Sequence, residues 1–149
     1  MKIQFVCRGN TYRSRLAEAY LKSKQLSDIE VSSSGVEAHK NLNGPITLYA
    51  KRLLEQDGIL SFAAPTWTTT SKETTDEQDV VVFMHPDVYE EFIELFHTPP
   101  HTYRVWEIAD IYIRSEDAER EIERHWKEAE ATFDRIKMHV DGLIASLRV

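Results

Sequence analysis

The sequence predicts a three-layer α/β fold: a four-stranded parallel sheet with helices on both faces. Strand-length apolar runs alternate with longer stretches of helical period along the whole chain. One run, Asp79–Phe83 (D-V-V-V-F), is continuously apolar and β-branched once past its aspartate, as expected of a strand covered on both faces. Strands that alternate with helices build right-handed βαβ units, and such units form parallel sheets. A chain of 149 residues with 42% apolar and 29% charged residues can bury a full core, and no repeat or linker divides it, so residues 1–149 read as one domain.

The first strand is expected over Lys2–Val6, followed by a Gly-containing turn and a helix from about Arg13 to Lys24, with Leu16, Ala17, Tyr20 and Leu21 inward. Glu30–Ser33 reads as a weaker second strand. Pro45 is placed to open a helix that ends near Gly58, since proline favours a helix start and glycine the position after its end. In the stretch from Ser61 to Gln78, Thr70-x-x-Glu73 and Thr75-x-x-Gln78 are capping signals for short helices. The third strand is Asp79–Phe83. Pro86 then opens a helix with Val88, Tyr89, Phe92, Ile93 and Phe96 on one side, and Thr102–Ile108 supplies the fourth strand. From about Glu116 to Leu147, Ile122, Trp126, Ala129, Phe133, Ile136, Val140, Leu143 and Leu147 recur in steps of four and three. That spacing would serve a coiled coil, but packing on the sheet of the same domain is the preferred use.

A net charge of −7 gives no basis for broad binding to nucleic acid or anionic membranes. No apolar run has the length of a membrane span, and no signal peptide is visible. With one cysteine there is no internal disulfide, which makes the cytoplasm the natural compartment. Against the acidic background, Arg8, Arg13 and Arg15 form a local basic cluster, of the kind that holds one anion or simply faces solvent.

The segment Cys7-Arg8-Gly9-Asn10-Thr11-Tyr12-Arg13-Ser14 carries the chemistry. It directly follows a strand, contains Gly9 where a sharp turn is expected, and opens a helix. Backbone N–H groups at such a turn and helix start form an anion site. Phosphate held there would meet the Cys7 sulfur from below and the Arg13 guanidinium, whose fork binds two oxygens, from the side. The same field favours a thiolate. Ser14 is a candidate hydrogen-bond donor to it or a plain capping hydroxyl. Asn10 suits an unusual backbone conformation or a generic turn. Thiolate attack on phosphorus needs a carboxyl that first protonates the leaving group and later activates water. Ligands in parallel sheets bind beyond the carboxyl ends of the strands. That points to the loops Cys7–Tyr12, Gly35–Gly44 and Ala109–Arg114, and favours Asp110, with Asp79, Asp87 and Glu107 as competitors on position alone.

The loop resembles the signature C-x-G-N-x-C-R-S-P of the low-molecular-weight protein tyrosine phosphatase family, and the likeness extends over the whole chain, including the turn Ser33–Gly35. The resemblance implies a four-stranded parallel sheet flanked by helices, and hydrolysis through a phosphocysteine with no metal or other cofactor. It implies Cys7 as nucleophile, Arg13 as phosphate clamp, Asn10 and Ser14 as loop and thiolate supports, and Asp110 as acid and base. Arg8, Gly9, Thr11 and Tyr12 complete the phosphate-binding loop. The implied partners are a phosphorylated protein and, in the loop, inorganic phosphate or a similar oxyanion, with no nucleic acid or membrane.

Several positions depart from the family pattern. Tyr12 stands where the second loop cysteine is usual, so Cys7 has no disulfide partner. Arg15 replaces the proline and would add charge at the pocket edge or face solvent. Asp110-Ile111-Tyr112 replaces D-P-[YF]. His39 takes the place of an aromatic in the second loop, and Tyr112 forms an aromatic wall or packs within its own loop. Thr11 is shared with relatives resembling protein arginine phosphatase, where tyrosine-directed members carry Ile or Leu. Against that single residue, phosphotyrosine leads as substrate, phosphoarginine follows closely, and a phosphoprotein-binding module without turnover is the third reading. An arsenate reductase relay would need further cysteines. His97 and His101, separated by Pro99-Pro100, are expected at the surface rather than on a metal.

Overall fold

The computed structural model describes residues 1–111 and 118–148, with side chains in the last helix described from residue 123 onward. The four strands are β1 (Lys2–Cys7), β2 (Glu30–Gly35), β3 (Val80–Phe83) and β4 (Tyr103–Val105), and the helices are α1 (Arg13–Ser23), α2 (Leu48–Gln56), α3 (Lys72–Asp76), α4 (Pro86–Phe96) and α5 (Ala118–Leu147). The sheet is parallel throughout, in the order β2-β1-β3-β4. Both central strands are buried on both faces, which explains their unbroken apolar runs. The four-stranded parallel sheet with helices on both faces is as the sequence predicts.

Helices α1, α2 and α5 cover one face. Leu16, Ala17, Leu53, Leu54, Ala129, Phe133, Ile136, Val140 and Leu143 pack there against Ile3, Phe5 and Val82. The repeat in α5 thus serves its own sheet rather than a coiled coil; Trp126 and Leu147 are half-buried at its edges, and Ile122 lies outside the described side chains. On the other face α4 alone packs Val88 and Phe92 against Val6, Val81 and Phe83.

Several boundaries differ from expectation, most of them by one or two residues. Helix α2 begins at Leu48, not Pro45, because the Thr47 side chain accepts a hydrogen bond from the Ala50 N–H at 3.2 Å and caps it. Its end is as expected, with Gly58 at φ +71°. Ser71 rather than Thr70 or Thr75 caps α3, accepting from the Thr74 N–H. Strand β4 spans only Tyr103–Val105, although Trp106 and Ile108 still donate to the carbonyls of Phe83 and Met84. Those last bonds set the direction in which the chain leaves β4 toward Asp110.

The strand order reverses between β1 and β3, so the loop after β1 emerges at the switch point of the sheet, where ligands bind in such folds. Among the described residues no helix is long and apolar enough to cross a membrane.

Candidate active site

Strand β1 ends at Cys7 and α1 begins at Arg13, which leaves five residues to turn the chain through the switch point. Neighbouring segments occupy the loop carbonyls. Cys7 O accepts from the Val36 N–H, Arg8 O from Glu37, Thr11 O from Thr47 and Tyr12 O from Leu16. The Arg15 guanidinium holds Asn10 O. The peptides are all trans, so each carbonyl and the N–H that follows it point in opposite directions. Carbonyls held outward at 7, 8, 10, 11 and 12 turn the N–H groups of Arg8, Gly9, Thr11, Tyr12 and Arg13 toward the inside of the loop. The result is a nest of donors at the uncapped start of α1, suited to an oxyanion.

Asn10 carries the strained turn, at φ 55°. Gly9, expected to be the turn glycine, is not at positive φ, and a Cβ there would meet only ordinary contact. The glycine this loop requires is Gly35 at the end of β2, where a Cβ would fall 2.6 Å from Arg8 O and 2.7 Å from the Asn10 nitrogen. The loop crosses directly over that residue.

Polar side chains beneath the loop form a directed chain. Asn10 Oδ1 accepts from the Thr68 N–H at 2.8 Å, so its amide nitrogen must face the other way. That nitrogen donates to Ser14 Oγ at 2.7 Å and Ser33 Oγ at 2.9 Å. Ser33 passes its own proton to the Glu18 carboxylate at 2.8 Å. Ser14 Oγ also lies 2.8 Å from Cys7 Sγ, and toward a thiolate its hydroxyl is the donor. The Asn10 N–H also points at that sulfur, at 3.2 Å. Of the two roles open to Ser14, capping is not used, and its hydroxyl instead faces the sulfur.

Arg13 is almost fully buried and donates from Nη1 to Ile108 O at 2.9 Å, which leaves Nη2 toward the cleft, 3.4 Å from Asp110 Oδ2. Asp110 is half-exposed; its other oxygen accepts from the Ile111 N–H. The competing carboxylates are elsewhere: Asp79 accepts from the Lys2 N–H at the opposite end of the sheet, and Asp87 lies in the first turn of α4 beside His85. Glu107 is exposed on the segment leaving β4 and does not line the cleft.

Cys7, Arg8, Gly9, Thr11, Tyr12, Arg13 and Asp110 line one cleft of about 380 Å³, and Glu37, Ala38, Asn41, Leu42 and Asn43 form its far wall. His39, expected to line it, is exposed on the turn of that wall and does not. The wall belongs to Asn41 and Leu42, because Asn41 closes the turn in a left-handed conformation and Trp67 Nε1 donates to its side chain. Tyr112 lies outside the described residues.

Tyr12 turns inward against Tyr49, with ring centroids 6.2 Å apart, and burial pushes its phenol far above the usual range. It offers the loop a backbone N–H and no reactive group. Arg8 reaches outward, 3.6 Å from both Glu37 and Glu91. Both expected positions for Arg15 are overturned: it lies at neither pocket edge nor surface but is fully buried under the loop. Glu18 and Thr68 escape sequence reasoning, since Glu18 four residues before Lys22 looks like an ordinary helix-surface pair. Among the described residues, no three His, Cys, Asp or Glu side chains are grouped to hold a metal; His97 and His101 are exposed.

The family model described as low molecular weight phosphotyrosine protein phosphatase matches residues 2–148. The chain belongs to that family. It is 26% identical to a YwlE arginine phosphatase from Geobacillus stearothermophilus whose solved structure superposes with a TM-score of 0.74 over 99% of this chain and 92% of that one. A low molecular weight protein tyrosine phosphatase from T. tengcongensis shares the fold at TM-score 0.78 and 23% identity, over 98% of this chain and 99% of that one. A protein-arginine-phosphatase of Geobacillus stearothermophilus is 45% identical over 58 residues, which is 39% of this chain and 38% of that protein.

Proposed function

We propose that this chain is a cytoplasmic protein phosphatase that works through a phosphocysteine on Cys7, and that phosphoarginine is its preferred substrate. The observation that carries the chemistry is the convergence of the Cys7 sulfur, the inward N–H groups, the Arg13 guanidinium and the Asp110 carboxyl on one cleft. In the first step the thiolate bonds to phosphorus as the bond from phosphorus to the leaving nitrogen or oxygen breaks. Asp110 gives that atom a proton. In the second step Asp110 takes a proton from water, water oxygen bonds to phosphorus, and the sulfur leaves as thiolate. Ser14 and the Asn10 N–H stabilise the thiolate at both ends of the cycle. Arg13 and the loop amides hold the phosphoryl oxygens.

The walls of the cleft favour a guanidino leaving group over a phenol. A phenyl ring needs an apolar slot, whereas a guanidinium carries several N–H donors that need acceptors. The Thr11 hydroxyl and the Asn43 side-chain carbonyl supply acceptors along the lining, and the Glu37 carboxylate, paired with Arg8 and Lys40, adds negative charge beside them. Tyr49, an aromatic of the same lining, is almost fully buried. Relatives named as arginine phosphatases agree with this order. Phosphotyrosine, first in the reading of the sequence, becomes the second candidate.

Turnover of matched phosphoarginine and phosphotyrosine peptides decides between them. We expect higher kcat/KM on phosphoarginine, and a shift toward phosphotyrosine of roughly 10-fold or more in Thr11→Ile, the scale of a lost polar contact. Higher wild-type efficiency on phosphotyrosine would reverse the assignment. Binding of either peptide with no phosphate released in a single turnover would make the protein a binder.

A further inference from the structure

Arg15 is the one buried cation of the loop that the chemistry above does not use. Its side chain is fully enclosed, which for an unpaired guanidinium costs several kcal/mol. Nη1 donates to Asn10 O at 3.2 Å and Pro45 O at 2.8 Å, and Nη2 donates to Ala64 O. Nε makes no hydrogen bond and lies 3.9 Å from Glu18. Burial weakens the hold of the guanidinium on its proton, and the charges of Glu18 and Cys7 oppose that weakening.

The three acceptors are backbone carbonyls from three separate segments: the phosphate loop, the approach to α2, and the long connection before α3. The other carbonyls held outward in the loop are each satisfied by a backbone N–H, whereas Asn10 O is held by a side chain. Asn10 is also the loop residue held at positive φ. We propose that Arg15 is a positioning residue: by holding Asn10 O outward, it keeps the Thr11 N–H pointed into the oxyanion cradle. Glu18 and the Pro45 and Ala64 carbonyls fix the guanidinium that does this. The proline of the family signature has no donor and cannot perform that role.

The proposal rests on the phosphatase reading, and the test separates the two. Arg15→Met keeps length and removes the donors. Arg15→Pro falls in the first turn of α1, where proline is compatible with the helix backbone, and gives a second variant without the donors. For each, kcat on a generic aryl phosphate and the dissociation constant of orthovanadate are measured per active site, titrated by alkylation of Cys7. We expect vanadate binding to weaken by about 10- to 100-fold, the scale of a lost charge-assisted donor, with kcat falling in parallel. A purely structural staple lowers the number of titratable sites and leaves both constants per site near wild type; that outcome overturns the proposal. Wild-type protein that binds vanadate without turning over any phosphoester or phosphoramidate overturns the phosphatase reading instead, and the vanadate comparison still decides the role of Arg15.

Discussion

The α4 face of the sheet and the carboxyl end of β1 are both buried, but by opposite means. On the α4 side, Phe83, Tyr89, Phe92 and Phe96 meet edge to face or tilted, with centroids 4.8 to 5.3 Å apart, and aromatic packing, helped by a hydrogen bond from the Tyr89 hydroxyl to that of Tyr103, joins helix to sheet. At the carboxyl end of β1, enclosed Asn10, Ser14, Arg15, Glu18 and Ser33 sit within hydrogen-bond chains that converge on one sulfur. An aromatic face tolerates any orientation that fills its volume. A polar network does not, because each donor must find its acceptor, and an unmatched group costs the full desolvation penalty. The first region should therefore govern stability and the second geometry.

Cys7→Ser tests the separation most severely. Turnover should be abolished while the thermal midpoint stays close to wild type; retained activity would remove Cys7 from the mechanism. Asp110→Asn is expected to lower kcat by roughly 10² to 10⁴-fold on poor leaving groups and far less on good ones. Equal losses on both would show that Asp110 does not act as an acid. Phe92→Ala should do the converse, removing about 3–5 kcal/mol of stability in urea titration while the surviving folded molecules keep their kcat/KM. Loss of catalysis per folded molecule would show that the two regions are coupled. Gly35→Ala joins them by design: its Cβ would collide with the loop backbone, so about 1–3 kcal/mol of stability and the oxyanion affinity should fall together. Unchanged vanadate binding in that variant would mean the loop does not depend on its contact with β2.

Much of this architecture is visible in the chain itself because it is local. The step of four and three in α5, the β-branched run of β3, Pro86 at the start of α4 and Gly58 after α2 are all set by neighbours a few residues away. Pro45 misleads because two local start signals stand side by side and Thr47, two residues on, is the one that caps α2; nothing nearby in sequence shows that the Pro45 carbonyl receives a guanidinium. His39 stands one residue from the lining Ala38, but the left-handed turn at Asn41 gives the wall to Asn41, Leu42 and Asn43.

The sequence by itself determined the fold class, the order of strands and helices, and a cysteine-to-arginine loop placed between a strand and a helix. Those follow from periodicity, capping and spacing along a continuous stretch. Only the tertiary structure decided that Arg15 lies under the loop rather than at its edge, that Gly35 rather than Gly9 is the indispensable glycine, and that the Asn10 amide turns its nitrogen toward Ser14. Each depends on groups brought together from distant segments: Arg15 meets carbonyls 30 and 49 residues away, and the Asn10 amide is oriented by an N–H 58 residues on. Whether a charged side chain is buried is fixed by such meetings and not by its neighbours in the chain, since a guanidinium leaves water only where carbonyls from several segments already stand in place to receive it.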